Sequence, residues 1–109
     1  MIRGTTPTFT LNMLDEQLDL RNASNVYATF MQNKVLLTKT GNDLNITVTQ
    51  ESGSYKNTVE VYFTQTESLE FTCGSIEVQL NWTYADGSRA CSNIVNIAVS
   101  NNLVGSVLQ

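Results

Sequence analysis

The sequence predicts an all-β fold, a two-layer sandwich of about seven antiparallel strands. Three observations lead there. Apolar and polar residues alternate with a period of two in one segment after another, which sends successive side chains to opposite faces of a strand. Turn signals recur at intervals of roughly 8 to 12 residues. Thr and Asn are abundant beside a single proline, a balance that favours strands and turns over helices. The 109 residues suit one domain, 1–109. A chain of that size removes roughly two-thirds of its extended surface from water, enough for one core.

The elements follow in order. In "PTFTLNM" (7–13), Phe9, Leu11 and Met13 share one face and Thr8, Thr10 and Asn12 the other. Pro7 suits a strand start or an edge. Residues 14–25 read as a connector from which Leu18 and Leu20 dip inward. "VYATF" (26–30) is a strand with Val26, Ala28 and Phe30 on one face, and "MQNK" reads as a turn. "VLLTKT" (35–40) and "LNITVT" (44–49), joined by "GND", read as a hairpin over 35–49. "QESGSYKN" (50–57) reads as the longest and most mobile loop. Val59, Val61 and Phe63 face inward from the next strand, and Thr64 with Glu67 forms a capping-box pattern for one helical turn.

The stretch 75–99 reads as two long strands folded around Ala85, Asp86 and Gly87. Ile76, Val78, Leu80, Trp82 and Tyr84 line one face of the first. The second carries apolar residues on both faces, which predicts a central strand. In the tail, Leu103, Val104, Val107 and Leu108 make a helix-like stripe that Gly105 weakens. Strand number and chain length together predict an immunoglobulin-like sandwich, with a small barrel as the alternative.

Composition argues against several classes of function. The net charge is −4 and the six basic residues are scattered, so no stripe exists to neutralise phosphates. No apolar run reaches the roughly 18 residues of a membrane span. The first residues lack the apolar core of a secretory signal, so synthesis in a cytoplasm without export is expected. Asn22, Asn45 and Asn81 stand in glycosylation sequons that chance explains in an Asn- and Thr-rich chain.

The hairpin register sets Cys91 opposite Asn81 or Trp82, about eight residues or roughly 25 Å along the strand from Cys73, too far for a disulfide. Both cysteines are expected as free, buried, small hydrophobes.

A chain without histidine has no Ser-His-Asp or Cys-His arrangement and lacks the commonest metal ligand. Asp15, Glu16 and Asp19 cluster in one loop and Glu67 and Glu70 in another, where solvated turns and caps explain them better than acid–base pairs. No phosphate-cradling glycine loop exists. The expectation is a protein without catalytic residues, metal or cofactor, whose function lies in its surface.

The two ends, residues 2–9 and 103–108, hold apolar side chains that one chain would cover poorly. Ile2, Arg3, Phe9, Leu103, Val104, Val107 and Leu108 are therefore candidate partner contacts. Tyr27 and Tyr62 join them, because they fall on the strand faces opposite the core. A sugar-stacking surface built from Tyr27, Tyr55 and Tyr62 is the alternative.

Four stretches carry a resemblance: "IRGTTPTFTL", the "LDL" step before "VYATF", "VEVYFTQTESLEF" and "IEVQLNWTYADGSRACS". Together they resemble small proteins of the structural gene blocks of tailed bacteriophages. In their order the chain is similar to the N-terminal immunoglobulin-like domain of phage baseplate upper proteins. Thr5 stands where that family often has an acidic residue, and family members continue into a helical, trimer-forming segment. The resemblance implies a virion component made in the host bacterial cytoplasm. It would dock on capsid or tail and baseplate subunits in a symmetric, multi-copy assembly, with no nucleic-acid or membrane partner. A carbohydrate or host-surface binding module, and a soluble inhibitor of a host defence protein, are the competing expectations.

Overall fold

The computed structural model describes residues 1–108. The strands are β1 (Thr8–Asp15), β2 (Asn25–Gln32), β3 (Val35–Thr40), β4 (Leu44–Glu51), β5 (Ser54–Tyr62), β6 (Gly74–Thr83), β7 (Arg89–Cys91) and β8 (Val95–Val99). One short helix, α1 (Gln65–Leu69), joins β5 to β6. A three-stranded sheet, β1-β5-β4, packs on a second sheet ordered β3-β2-β6, where β7 and β8 lie in tandem along the outer side of β6. All these strand pairings are antiparallel. The predicted all-β sandwich is therefore observed. The two sheets, β1-β5-β4 and β3-β2-β6-β7, follow the orders B-E-D and C′-C-F-G of an immunoglobulin sandwich, of which strand A has no counterpart among the described residues.

The inward faces are those that the alternation predicts. Val26, Ala28 and Phe30 from β2 meet Val59 and Val61 from β5, with Ile76, Val78, Leu80 and Trp82 from β6. Phe63 and Phe71, just after β5 and α1, are fully buried beside them.

Three expectations are corrected. Residues 35–49 are not a hairpin: β3 belongs to one sheet and β4 to the other, and a 3-10 turn at Gly41–Asp43 carries the chain between them. The partners are set instead by two tight turns. Asn33, left-handed at φ 52°, folds β2 onto β3, and Ser52 and Gly53, at φ 49° and 84°, fold β4 onto β5. Two consecutive positive φ angles match the twist of a hairpin.

For the same reason 50–57 is no loop. It is the tip of the β4–β5 ribbon and the start of β5, and its polar residues lie mostly on an exposed face. The last strand is not central. It is an edge, broken between β7 and β8 where Ser92 keeps the chain attached to Leu80. The Ser92 amide donates to the Leu80 carbonyl at 2.9 Å, and the Leu80 amide donates to the Ser92 hydroxyl at 3.0 Å.

The N-terminus ties the layers together. Ile2 bridges Ser100 in parallel, and the Arg3 amide donates to the Ser100 carbonyl at 3.0 Å. The chain then turns at Gly4, left-handed at φ 78°, and enters β1 in the other sheet. The Arg3 guanidinium donates to the carbonyls of Leu69 and Phe71, holding the end of α1.

Two buried polar groups fix the connectors. Asn57, fully buried, accepts from the Leu20 amide at 2.9 Å and donates to the Leu18 carbonyl at 2.9 Å, which staples the β1–β2 connector to β5. Lys39, 8% exposed, places its ammonium 2.6 Å from Glu67 and 5.8 Å from the centre of the Phe63 ring. Glu67 also closes the predicted capping box with Thr64. Burial, the largest single influence, would raise the Glu67 carboxyl. The Lys39 ammonium and the Thr64 amide and hydroxyl outweigh it and hold the group below its ordinary value.

Replacing Asn57 by Ala leaves the Leu20 amide and the Leu18 carbonyl without partners. A loss of about 2–4 kcal/mol is expected in urea unfolding, with the slope unchanged. Glu67 is lowered in the folded chain, so its stabilisation is present above the ordinary value of 4.5 and fades as pH falls through the folded value. The stability gap between the wild type and Glu67→Gln should accordingly be full at neutral pH and shrink in acid. An equal gap at about pH 3 and about pH 7 contradicts this role of the ion pair.

Candidate functional site

The surface offers three distinct regions, built by different parts of the fold. The first is an open flank. β1 is the outer strand of its sheet and β7 with β8 forms the outer edge of the other. These two edges face each other across a groove of about 790 Å³. Residues 10–15 line it consecutively, and so do Ala90, Cys91, Ser92 and Asn93. Consecutive lining means that strand edges, rather than alternate faces, form the walls. Leu80, Trp82 and Tyr84 line the space between them, and the Trp82 indole donates to the Tyr84 hydroxyl at 3.1 Å.

The Phe63 amide donates to the Pro7 carbonyl at 3.0 Å, one step beyond the pair Thr8 and Tyr62. This sets the phase of the ladder. Phe9, Leu11 and Met13 bond to β5, while the backbone groups of Thr8, Thr10, Asn12 and Leu14 point away from it, to the free edge.

The second region gathers the ends of the chain beside α1. Ile2 is 51% exposed, Leu103 wholly so, and Val104, Val107 and Leu108 between 44% and 60%. The Gln65 side chain holds the Leu108 backbone from both sides, accepting from its amide at 2.7 Å and donating to its carbonyl at 3.1 Å. Asn102 donates to the Arg3 carbonyl at 2.9 Å. The tail is thus irregular rather than helical. Of the predicted contacts at the ends, two serve the chain itself. Arg3 clamps α1, as above, and Phe9 turns inward, its ring 5.0 Å from Phe63 and 5.5 Å from Phe30.

The third region is the outer face of the β3-β2-β6 sheet. Tyr27 is half-buried there in a shallow trough with Thr29, Thr38, Asn81 and Arg89. Arg89 donates to the Asn81 side chain at 3.0 Å. Tyr62 lies exposed on the three-stranded sheet and Tyr55 half-buried at the start of β5, so the three tyrosines share no surface. Met31 and Leu36 form an exposed apolar cross-strand pair, with Ile94 also exposed, and sequence reasoning missed all three. Reading "MQNK" as a turn removed Met31 from any face; extending the β2 alternation by two residues exposes it.

The acidic residues serve turns and caps. Hydrogen bonds from the amides of Gln17 and Leu18 hold Asp15 below its ordinary value, as the Arg21 guanidinium does Asp19 and the Ser88 hydroxyl and amide do Asp86. Among the described residues no three His, Cys, Asp or Glu gather as metal ligands would, and no helix is long and apolar enough to cross a membrane.

Cys91 pairs with Asn81 and Cys73 precedes β6, so the thiols are apart and free as the register predicts. They are exposed rather than buried: Cys73 sits in the turn before β6 and Cys91 on the broken edge.

The fold and its surface thus define an all-β sandwich with one side left open. Comparison of the chain with models of protein families, with curated proteins and with solved structures gives no match.

Because both cysteines are exposed, a thiol reagent added to the folded protein should titrate two groups per chain without denaturant. Reaction only after unfolding contradicts these positions.

Proposed function

We propose that this chain is a non-enzymatic structural component of a tailed-phage virion, docking on capsid or on tail and baseplate proteins in a symmetric, multi-copy arrangement. The observation that carries the docking part is the cluster of exposed apolar side chains at the two ends. Ile2, Leu103, Val104, Val107 and Leu108 stand in water beside α1, tied to the body largely through backbone and polar contacts. Surface of that kind marks contact with another body. Many weak contacts repeated by symmetry add to firm attachment without a large interface on each copy. The virion part rests on the resemblance of the "IRGTTPTFTL" opening and the "TYADGSRACS" hairpin to baseplate upper proteins.

A second reading, a sugar-binding module, is favoured by the trough at Tyr27. An aromatic ring there stands next to Asn81, Arg89 and the three threonines Thr29, Thr38 and Thr83, groups suited to a sugar face and its hydroxyls.

Mass spectrometry of purified particles tests the first reading. The protein should co-purify at a fixed ratio to the major capsid protein, near one for a head decoration and a few per cent for a tail component. Absence from particles overturns it, and selective binding on a glycan array, lost in Tyr27→Ala, would establish the second reading in its place.

A further inference from the structure

The open flank has the form of a strand-insertion site. Two unpaired edges wall it, the inward side chains Leu80, Trp82 and Tyr84 lie between them, and the free backbone groups of Thr10, Asn12 and Leu14 point to the side where a new strand would pair. A strand added there would bring the β1-β5-β4 sheet to the four-strand width of the sheet opposite.

We propose that the added strand is the C-terminal segment, residues 101–108, of a second copy of this chain. Three features select that occupant. The segment has eight residues, as β1 has, and both extend to roughly 27 Å. It carries no charge, and among the described residues Asp15 is the only charged one lining the groove, so the two surfaces match in polarity. In an extended conformation either register turns two apolar side chains inward, Leu103 with Val107 or Val104 with Leu108, on either side of a small residue.

A neighbour's segment fits better than the chain's own. Leu108 is held on Gln65 of α1, which follows Tyr62, the partner of Thr8 at the start of β1. The groove begins at Thr10 and runs the other way, toward Asp15. A tail at one end and a receiving edge further along make a head-to-tail contact, which closes into a ring or continues as a filament. This inference rests on the docking reading and gives it a partner, a copy of the same chain.

Sedimentation velocity on the full-length protein tests it. The wild type should form species larger than a monomer as concentration rises. The double variant Leu103→Asp, Val104→Asp disables the tail, because one of the two carboxylates turns inward in either register. Thr10→Pro disables the receiving edge, since the Thr10 amide is not used by β5 and the fold can be checked by circular dichroism.

Each variant alone should be monomeric. A one-to-one mixture should form a dimer and nothing larger, because only one working tail meets one working edge. A fluorescent peptide of residues 101–109 should bind the wild type and the tail variant, and bind Thr10→Pro about tenfold more weakly or worse. The same peptide with Asp at positions 103 and 104 should not bind in either register, which keeps the test decisive if Thr10→Pro fails to fold. A wild type that stays monomeric and ignores the peptide overturns the inference, as does a folded Thr10→Pro that binds the peptide as the wild type does. Such a protein found in particles would still be a virion component. One that self-assembles but is absent from particles would keep the strand exchange and lose the virion role.

Discussion

Four phenylalanines hold this molecule together. Phe9 comes from β1, Phe30 from β2, Phe63 from just after β5 and Phe71 from just after α1, so the cluster draws on both sheets and on the link between them. Centroids of the contacting pairs lie 4.7 to 6.0 Å apart, with Phe9 and Phe30 each edge-on to Phe63 and tilted to one another, and Phe71 stacked on Phe63. Such pairs contribute about 0.5–1.5 kcal/mol each beyond the area they bury. The placement of Lys39 follows from this cluster. Its ammonium lies over Phe63 while it pairs with Glu67, so the helix cap, the β3 edge and the aromatic core form one contact. The Arg3 clamp on Leu69 and Phe71 fixes the same helix from the other side.

The inner faces of the strands were legible in the sequence, and their neighbours were not. Alternation says which side chains point inward, and Val59, Val61 and Phe63, or Ile76 through Trp82, point where it says. It is silent about which strand lies alongside. That choice falls to turns as short as Asn33 with Lys34, which lies inside the predicted "MQNK" turn, or Ser52 with Gly53, which sits inside the predicted loop, while the "GND" signal suggests a hairpin that does not form. Polarity misled at 50–57 because the face of a ribbon turned to water has the composition of a loop. Apolar residues on both faces misled at 94–99 because an edge strand can also carry them, Ile94 and Val95 being about half exposed. Of the candidate contacts, the apolar ends could be read directly. The groove could not, since it joins residues 10–15 to 90–93 and exists only because both belong to outer strands.

The architecture explains why one side stays open. Three hairpins, β2–β3, β4–β5 and β6 with β7 and β8, each remain within a single sheet, and β1 adds singly to β5. Three strands then face a width of four. Exposed sheet edges invite pairing with other chains, and proteins blunt them with charge, bulges or breaks. Here β3 carries the paired Lys39, and the last edge is interrupted at Ser92. β1 lacks such protection over its middle: from Thr8 to Leu14 it holds no charged residue, and its alternate backbone groups face outward.

The parallel contact between Ile2 and Ser100 has a mechanical meaning. Tension drawn outward at residue 1 and at residue 101 would slide two parallel segments past each other. The bonds from Met1 to Ala98, from Ser100 to Met1 and from Arg3 to Ser100 would then be loaded together instead of parting one after another. A short seam of this kind yields in shear, as a lap joint does. It sits beside Gly4, where the chain passes from one layer to the next, so strain applied to the ends reaches the seam before it reaches the buried rings.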